Sequence, residues 1–184
     1  MNTRFDRAIE KFDALNARDP HAKELIYARR MTDWLAKLEP DASEALRLAA
    51  RAQHLMRWEI PRDSYPKDRA GYLKWRTTLY QFHADRAAEV LREVGYDQAT
   101  IARVGELIRK EKIKTDPEAQ TLEDVAALVF LGNYFEEFSH EHDETKLVRI
   151  LQRTWKKMSP RGHEAAMTIR FSPSQLELIK KAIA

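Results

Sequence analysis

Apolar residues recur at helical spacing along most of the chain, and no segment shows the alternation that marks a half-buried strand. The pattern therefore predicts an all-α protein. The expected helices span residues 3–16, 20–38, 41–57, 68–94, 97–111, 117–138, 143–157 and 173–183, with a short one at 160–168. Because the links between them are short, we expect a single compact domain over residues 1–184.

Local signals support these helix boundaries. Four capping residues directly precede a proline, the arrangement expected where a helix begins: Asp19, Asp116, Ser159 and Ser172. Asp41, followed three residues later by Glu44, predicts a similar N terminus, and Gly95 is expected to end a helix. The run VAALVFL within 117–138 is apolar on all sides, which predicts a central, buried helix.

Composition excludes several classes of protein. The chain has 184 residues, 43% of them hydrophobic, enough to bury a substantial core. The absence of cysteine excludes disulfides, cysteine-held metals and thiol catalysis. Neither a glycine-rich phosphate loop nor a GxSxG motif is present, which argues against P-loop NTPases, Rossmann enzymes and typical serine hydrolases. Without a secretory or membrane-spanning segment, we expect a soluble cytoplasmic protein that does not enter membranes.

Positive charge is concentrated in one window. The net charge of the chain is +3, yet the range 51–76 alone holds seven basic and three acidic residues. Arginines there alternate with aromatic residues, a mixture suited to a phosphorylated or nucleotide-like small molecule. A solvated charged face is the alternative, and so few charges disfavour nucleic acid. The expected ligand-binding residues are Arg57, Trp58, Glu59, Arg62, Tyr65, Tyr72, Trp75 and Arg76.

Three predicted helices direct polar side chains inward, and these are the candidate catalytic residues: His54, His83, Glu123 and Asp124. One interpretation is a metal centre of His54, His83 and Asp124, which would activate water or polarise a phosphoryl oxygen. The alternative is that the histidines are hydrogen-bonded core residues. Only one of the two adjacent carboxylates is expected to face a pocket, because neighbouring helical positions point about 100° apart.

A second basic segment, TWKKMSPRGH, follows later in the chain. It joins Lys156, Arg161 and His163 to a helix that begins at Ser159-Pro160. Helix N termini attract anions, so these residues are candidate phosphate ligands. A plain turn between two helices is an equally good interpretation.

Four long runs resemble the DUF4202 family, a domain of unknown function: LIYARRMTDWL, LRLAARAQHLMRWEIPRDSYPKDRAGYLKWR, TLEDVAALVFL and TWKKMSPRGH. The resemblance spans nearly the whole chain. It implies a fold and does not imply an activity.

The order of elements is also similar to that of HD-domain phosphohydrolases, helical proteins that hold a metal with histidines and aspartates. AARAQHL resembles the helix with the His-Asp pair, but Leu55 follows His54 where the aspartate belongs. Tyr27 and Ala126 take the positions of two further ligands, while His83 matches an accessory histidine. The resemblance therefore implies an HD-like helical domain in which three of four usual ligands are replaced.

Two functional hypotheses remain open from the sequence. In the first, an HD-like enzyme binds or hydrolyses a phosphorylated small molecule; in the second, a non-catalytic HD-like module binds an anionic ligand or a protein partner. A divalent metal in a rearranged site is one expectation for the cofactor. Direct binding of the anion by arginines, without a metal, is favoured because it needs fewer geometric coincidences. Association as a homodimer is left open.

Overall fold

The computed structural model describes residues 3–183, which form ten α-helices and two 3₁₀-helices with no strand among them. The prediction of an all-α single domain is confirmed; residues 1, 2 and 184 of the expected domain lie outside the described part. The α-helices are α1 (Arg4–Asn16), α2 (Lys23–Leu38), α3 (Glu44–Ala52), α4 (Arg69–Glu93), α5 (Gln98–Ile108), α6 (Pro117–Asn133), α7 (Phe135–His140), α8 (Glu144–Lys157), α9 (Pro160–Ala166) and α10 (Pro173–Ile183). The two 3₁₀-helices, Arg57–Glu59 and Arg62–Ser64, lie between α3 and α4.

Several helices begin where the capping signals placed them. The Asp116 side chain accepts backbone N–H bonds at the start of α6, and the Ser159 side chain does so at the start of α9. Ser172 and Gln175 form the predicted capping box, each side chain accepting the other's backbone N–H. Gly95 ends α4 with φ of 88°, a conformation that glycine adopts without strain.

Two predicted helix starts were wrong. Asp19 does bond the N–H groups of Lys23 and Glu24, but from outside the helix, so α2 begins at Lys23 rather than at residue 20. The cap of α3 is Ser43, whose hydroxyl accepts from the N–H of Leu46, and not Asp41. Ser43 stands directly before the helix, at the position from which a short oxygen reaches the third amide.

The helix predicted over 41–57 was wrong at its C terminus. It ends at Ala52, and the chain then turns, with Met56 in the left-handed region at φ of 57°. The buried Asn16 side chain accepts the Met56 N–H at 3.0 Å and so binds this turn to the end of α1. His54 therefore lies in a turn, because a tertiary hydrogen bond outweighs the helical pattern.

The helix predicted over 117–138 is divided into α6 and α7. Its backbone leaves helical geometry at Tyr134, directly after Gly132 and Asn133, two poor helix formers in sequence. The expected central position of the apolar run is confirmed, since α6 packs against α2, α3, α5, α8 and α9. Within residues 3–183, none of the helices combines the length and the apolar composition that a membrane-spanning segment requires.

Candidate functional site

A cavity of about 310 Å³ lies where α2, α4 and α6 meet the turn after α3. Lys110, in the segment that follows α5, lines another side of this cavity. The side chains around it are mainly basic and aromatic, and no carboxylate lines it among the described residues. Its polar lining consists of Tyr27, Gln53, His54, Arg57, Tyr72, Trp75, Arg76, Tyr80, His83 and Lys110.

His54 is held between two residues of α2. Its ring stacks on Tyr27, with centroids 3.9 Å apart and planes 7° from parallel. Its Nδ1 lies 3.5 Å from Oε2 of Glu24. Burial, followed by the nearby positive charge of Arg57, lowers the pKa of His54 well below its ordinary value. The imidazole is therefore neutral at pH 7, the form that accepts a proton.

His83, on α4, lies beside it, with ring centroids 5.9 Å apart. Its Nδ1 is 2.8 Å from the carbonyl oxygen of Leu55. A carbonyl only accepts, so Nδ1 carries the proton and Nε2 keeps a lone pair. Nε2 is buried without a hydrogen-bond partner. Burial lowers the pKa of His83 to about 3, so this imidazole is also neutral at pH 7.

Arg57 and Arg76 supply positive charge to the cavity. The Arg57 guanidinium lies 4.6 Å above the Trp75 ring, and the Arg76 guanidinium donates a hydrogen bond to the Tyr80 hydroxyl. Neither forms an ion pair with any carboxylate in the part of the chain that the structure describes. Both guanidinium groups contact aromatic side chains, and the carboxylate that most favours the charge of Arg57 is Glu24, which lies beyond ion-pair distance.

Lys110 is the third cation of the lining. It pairs with the buried Glu123, which Lys157 also approaches at 3.7 Å. Although burial alone raises it, the pKa of Glu123 is lowered overall, chiefly by Lys110. Lys110 is one of four non-glycine residues with positive φ within residues 3–183, as is Met56 between His54 and Arg57. Such backbone conformations are often found at functional sites. Glu123 itself does not line the cavity and instead neutralises Lys110.

Asp124 lies away from the cavity. One carboxylate oxygen accepts the backbone N–H of Ser159 at 2.8 Å, and the other accepts the Ser159 hydroxyl. Gln120 donates to the same carboxylate. The predicted role of Asp124 in the site is thus corrected: its hydrogen bonds are used to fix the start of α9.

The predicted metal centre does not form from these side chains. His54 and His83 are neighbours, but Asp124 is bonded to another part of the chain. No group of three or more histidine, aspartate and glutamate side chains within residues 3–183 is arranged to hold a metal ion. The donor set present therefore does not fit a divalent cation.

The second predicted anion site is also corrected. At the start of α9 the Ser159 N–H is occupied by the chain's own Asp124. Arg161 pairs with Glu39 on the surface. The remaining two residues are likewise apart from the cavity: Lys156 is exposed, and His163 stacks on Trp155, with its Nε2 2.8 Å from the carbonyl of that residue.

The expected ligand-binding residues of the basic window are divided by the structure. Arg57, Tyr72, Trp75 and Arg76 line the cavity. Others lie outside it: Trp58 and Arg62 line a neighbouring cavity of about 280 Å³, Glu59 is exposed, and Tyr65 is half-buried. Arg62 donates to the carbonyl oxygens of Tyr65 and Pro66, which holds the connecting segment in place.

Sequence reasoning missed Glu24, Lys110, Tyr80 and Gln53 as parts of this region. Glu24 lies three residues before Tyr27, and Tyr80 four residues after Arg76, so helical spacing was a usable signal for both. Gln53 adjoins His54. Nothing in the pattern marked Lys110, because its position depends on the left-handed backbone at the end of α5.

Comparisons with known proteins give one match. The family model described as "Domain of unknown function (DUF4202)" matches residues 6–179, from α1 to α10. No curated protein and no solved structure matches the chain significantly. Because the family model covers nearly all of the fold described above, the chain belongs to the DUF4202 family.

Proposed function

We propose that this protein binds a phosphorylated small molecule in the cavity beside His54, and that His54 serves there as an acid–base group. One observation carries the proposal: Arg57 and Arg76 both line the cavity, and neither is paired with a carboxylate in the described chain. An unpaired, partly buried guanidinium is costly. A bound phosphate would compensate for this cost through bidentate hydrogen bonds.

The size and the lining of the cavity favour a small ligand with a flat ring. About 310 Å³ lies at the lower end of the range for small-molecule pockets. Tyr27, Tyr72 and Trp75 present aromatic surface next to the two guanidinium groups. Aromatic side chains pack against bases and sugars, so a nucleotide-like molecule is the class we expect.

The chemistry proposed for His54 starts from its neutral state and requires a bound phosphate anion, which favours the imidazolium form, to raise the lowered pKa of the imidazole again. An imidazole without a proton on one nitrogen accepts a proton from water or from a substrate hydroxyl. His54 lines the same cavity as Arg57, so an activated water and a bound phosphate would be neighbours. Hydrolysis of the phosphorylated ligand is the reaction that this arrangement supports.

We further propose that the domain is HD-like. Tyr27, His54, His83 and Ala126, four of the five positions aligned with metal ligands or accessory histidines of HD domains, line this one cavity, whereas Leu55, the fifth, is buried in the core. Their convergence supports the proposed relationship. In this interpretation the arginines take over the attraction of phosphate that a metal provides in an HD phosphohydrolase.

The binding proposal is tested by thermal unfolding with inorganic phosphate, adenosine monophosphate and adenosine. At a hundred times its dissociation constant, a ligand stabilises the folded state by about 2.7 kcal/mol. That is a rise in Tm of roughly 5 to 10 °C for a domain of this size. We expect it with the two phosphates and not with adenosine.

Matched variants locate the binding. Arg57→Ala and Arg76→Ala should each raise the Kd for phosphate by about 10- to 100-fold, the effect of one charge-assisted hydrogen-bonding group. Arg92→Ala, at an exposed arginine of α4, should leave it unchanged. An absent phosphate response in the unsubstituted protein, or an equal response in all variants, contradicts the proposal.

The second candidate is a non-catalytic module that binds an anion. The absence of any carboxylate from the described lining favours it, since few general acids remain besides the two histidines. Release of p-nitrophenol from p-nitrophenyl phosphate separates the two functions. Turnover that is lost in His54→Gln supports catalysis, whereas phosphate binding without turnover supports the module.

A further inference from the structure

Glu24 lies beside His54 at the cavity wall, and the proposed binding of phosphate by arginines assigns this contact no role. Oε2 of Glu24 is 3.5 Å from Nδ1 of His54. The glutamate side chain is only 14% exposed. Glu24 does not line the cavity, so its carboxyl group contacts the imidazole on the side that faces away from the cavity.

We propose that Glu24 is the positioning residue of His54: its carboxyl group binds Nδ1 and thereby determines which ring nitrogen carries the proton and which keeps a lone pair. The inference rests on the proposed function, because it assigns the acid–base group of that site. An ionised Glu24 accepts a hydrogen bond from Nδ1–H, and Nε2 is then left with its lone pair.

The stacking of Tyr27 makes such control of orientation effective. A ring plane parallel to Tyr27 within 7° restricts rotation of the imidazole. With the plane restricted, the contact between Glu24 and Nδ1 decides which edge of the ring faces the ligand. His83 does not bind Glu24 in place of His54, because the Nδ1–H of His83 already donates to the carbonyl of Leu55.

The pair also responds to pH in the neutral range. Burial raises the pKa of Glu24 to about 7, although Arg57 opposes the effect. Below that pH the protonated carboxyl donates to Nδ1, so the His54 proton moves to Nε2. Above it the carboxylate accepts from Nδ1–H. The charged and titratable groups around the pair are Asp19, Lys23, Tyr27, Arg57, Arg76, His83 and Lys110.

Nitrogen-15 NMR of the histidine side chains tests the proposal without any ligand, because protonated and unprotonated ring nitrogens have different chemical shifts. At pH 8 we expect His54 as the Nδ1–H tautomer. Glu24→Ala should shift the tautomer toward Nε2–H. Glu59→Ala, at an exposed glutamate of the adjoining 3₁₀-helix, should leave it unchanged, and His163 serves as an internal reference. An unchanged His54 spectrum in Glu24→Ala overturns the proposal.

A titration of the unsubstituted protein gives an independent test if Glu24→Ala does not fold. We expect the His54 tautomer to convert from Nδ1–H to Nε2–H as the pH falls through about 7. A single tautomer from pH 8 to 6 contradicts the proposed role of Glu24.

Binding of inorganic phosphate separates this proposal from the proposed function. Because the arginines supply the affinity, Glu24→Ala should leave the Kd for phosphate within about twofold, or lower it by removing negative charge near Arg57. A tenfold weaker Kd would mean that Glu24 organises the arginines, and it would overturn the positioning role. If phosphate does not bind even to the unsubstituted protein while the tautomer shifts, the proposed function fails and the role of Glu24 stands.

Discussion

The carboxylate of Asp124 on α6 accepts both the backbone N–H and the hydroxyl group of Ser159, 35 residues later in the chain. It therefore occupies the position at the start of α9 where the sequence predicted a phosphate. An internal anion has the same attraction to these groups as an external one. The contact joins the central helix to the segment that carries α9, and it accounts for a buried carboxylate without any catalytic role.

Replacing Asp124 should therefore affect stability rather than binding. Asp124→Ala leaves the half-buried N–H and hydroxyl of Ser159 without their partner, and we expect the free energy of unfolding to fall by about 1 to 3 kcal/mol. The Kd for phosphate should not change. Urea unfolding and calorimetry measure the two quantities, and a large loss of phosphate binding with normal stability would contradict this assignment.

Gly162 faces the same carboxylate. A Cβ atom at this position would lie 2.7 Å from Cγ of Asp124, whose short side chain is fixed by hydrogen bonds. Gly162→Ala should lower the free energy of unfolding by about 1 to 3 kcal/mol.

Gly132 provides the matched control for Gly162. Its Cβ would meet Trp34 at an ordinary 3.5 Å. Because alanine is the better helix former, Gly132→Ala should raise the free energy of unfolding by up to about 1 kcal/mol. Equal effects of the two substitutions would be inconsistent with the close contact at Gly162.

His83 should make the protein sensitive to acid. Burial lowers its pKa from 6.5 to about 3, so between these values only the unfolded chain binds the proton. Stability is therefore lost as the pH falls from 6.5 toward 3. The loss from this one group is about 2 kcal/mol at pH 5.

Unfolding of His83→Asn at pH 7 and pH 5 isolates that contribution. Asparagine keeps an N–H donor for the Leu55 carbonyl and removes the titration. The raised pKa of Glu24 acts in the opposite direction, because its protonation favours the folded state, but Glu24 is present in both proteins. We expect the free energy of unfolding to fall less between pH 7 and pH 5 in His83→Asn than in the unsubstituted protein. In His140→Asn, an exposed control, it should fall by the same amount as in the unsubstituted protein. Equal losses in all three proteins would count against a neutral, buried His83.

Asn16 should couple the stability of the fold to the site. Its side-chain oxygen accepts the N–H of Met56, within the turn that places His54 and Arg57. Asn16→Ala should cost about 1 to 2 kcal/mol of stability and weaken phosphate binding. Asn133→Ala, at an exposed position, should do neither. An unchanged Kd for phosphate in Asn16→Ala would show that other contacts keep the turn in its conformation.

The sequence by itself determined the helical class and most of the helix positions. Apolar spacing and capping residues are local features, and the hydrogen bonds that they predict form within a few residues, as at Asp116 and Ser172. Inward spacing also identified His83, and the basic window included Arg57 and Arg76.

Only the tertiary structure decided which polar residues meet. His54 left its predicted helix because Asn16, 40 positions away from Met56, accepts an N–H of the turn. Glu24 lies at the site because it contacts His54, and Asp124 lies away from it because it bonds Ser159; both partners are distant in the chain. Helical periodicity fixes the direction of a side chain about its own axis, whereas the partner of a buried charge depends on how the helices pack.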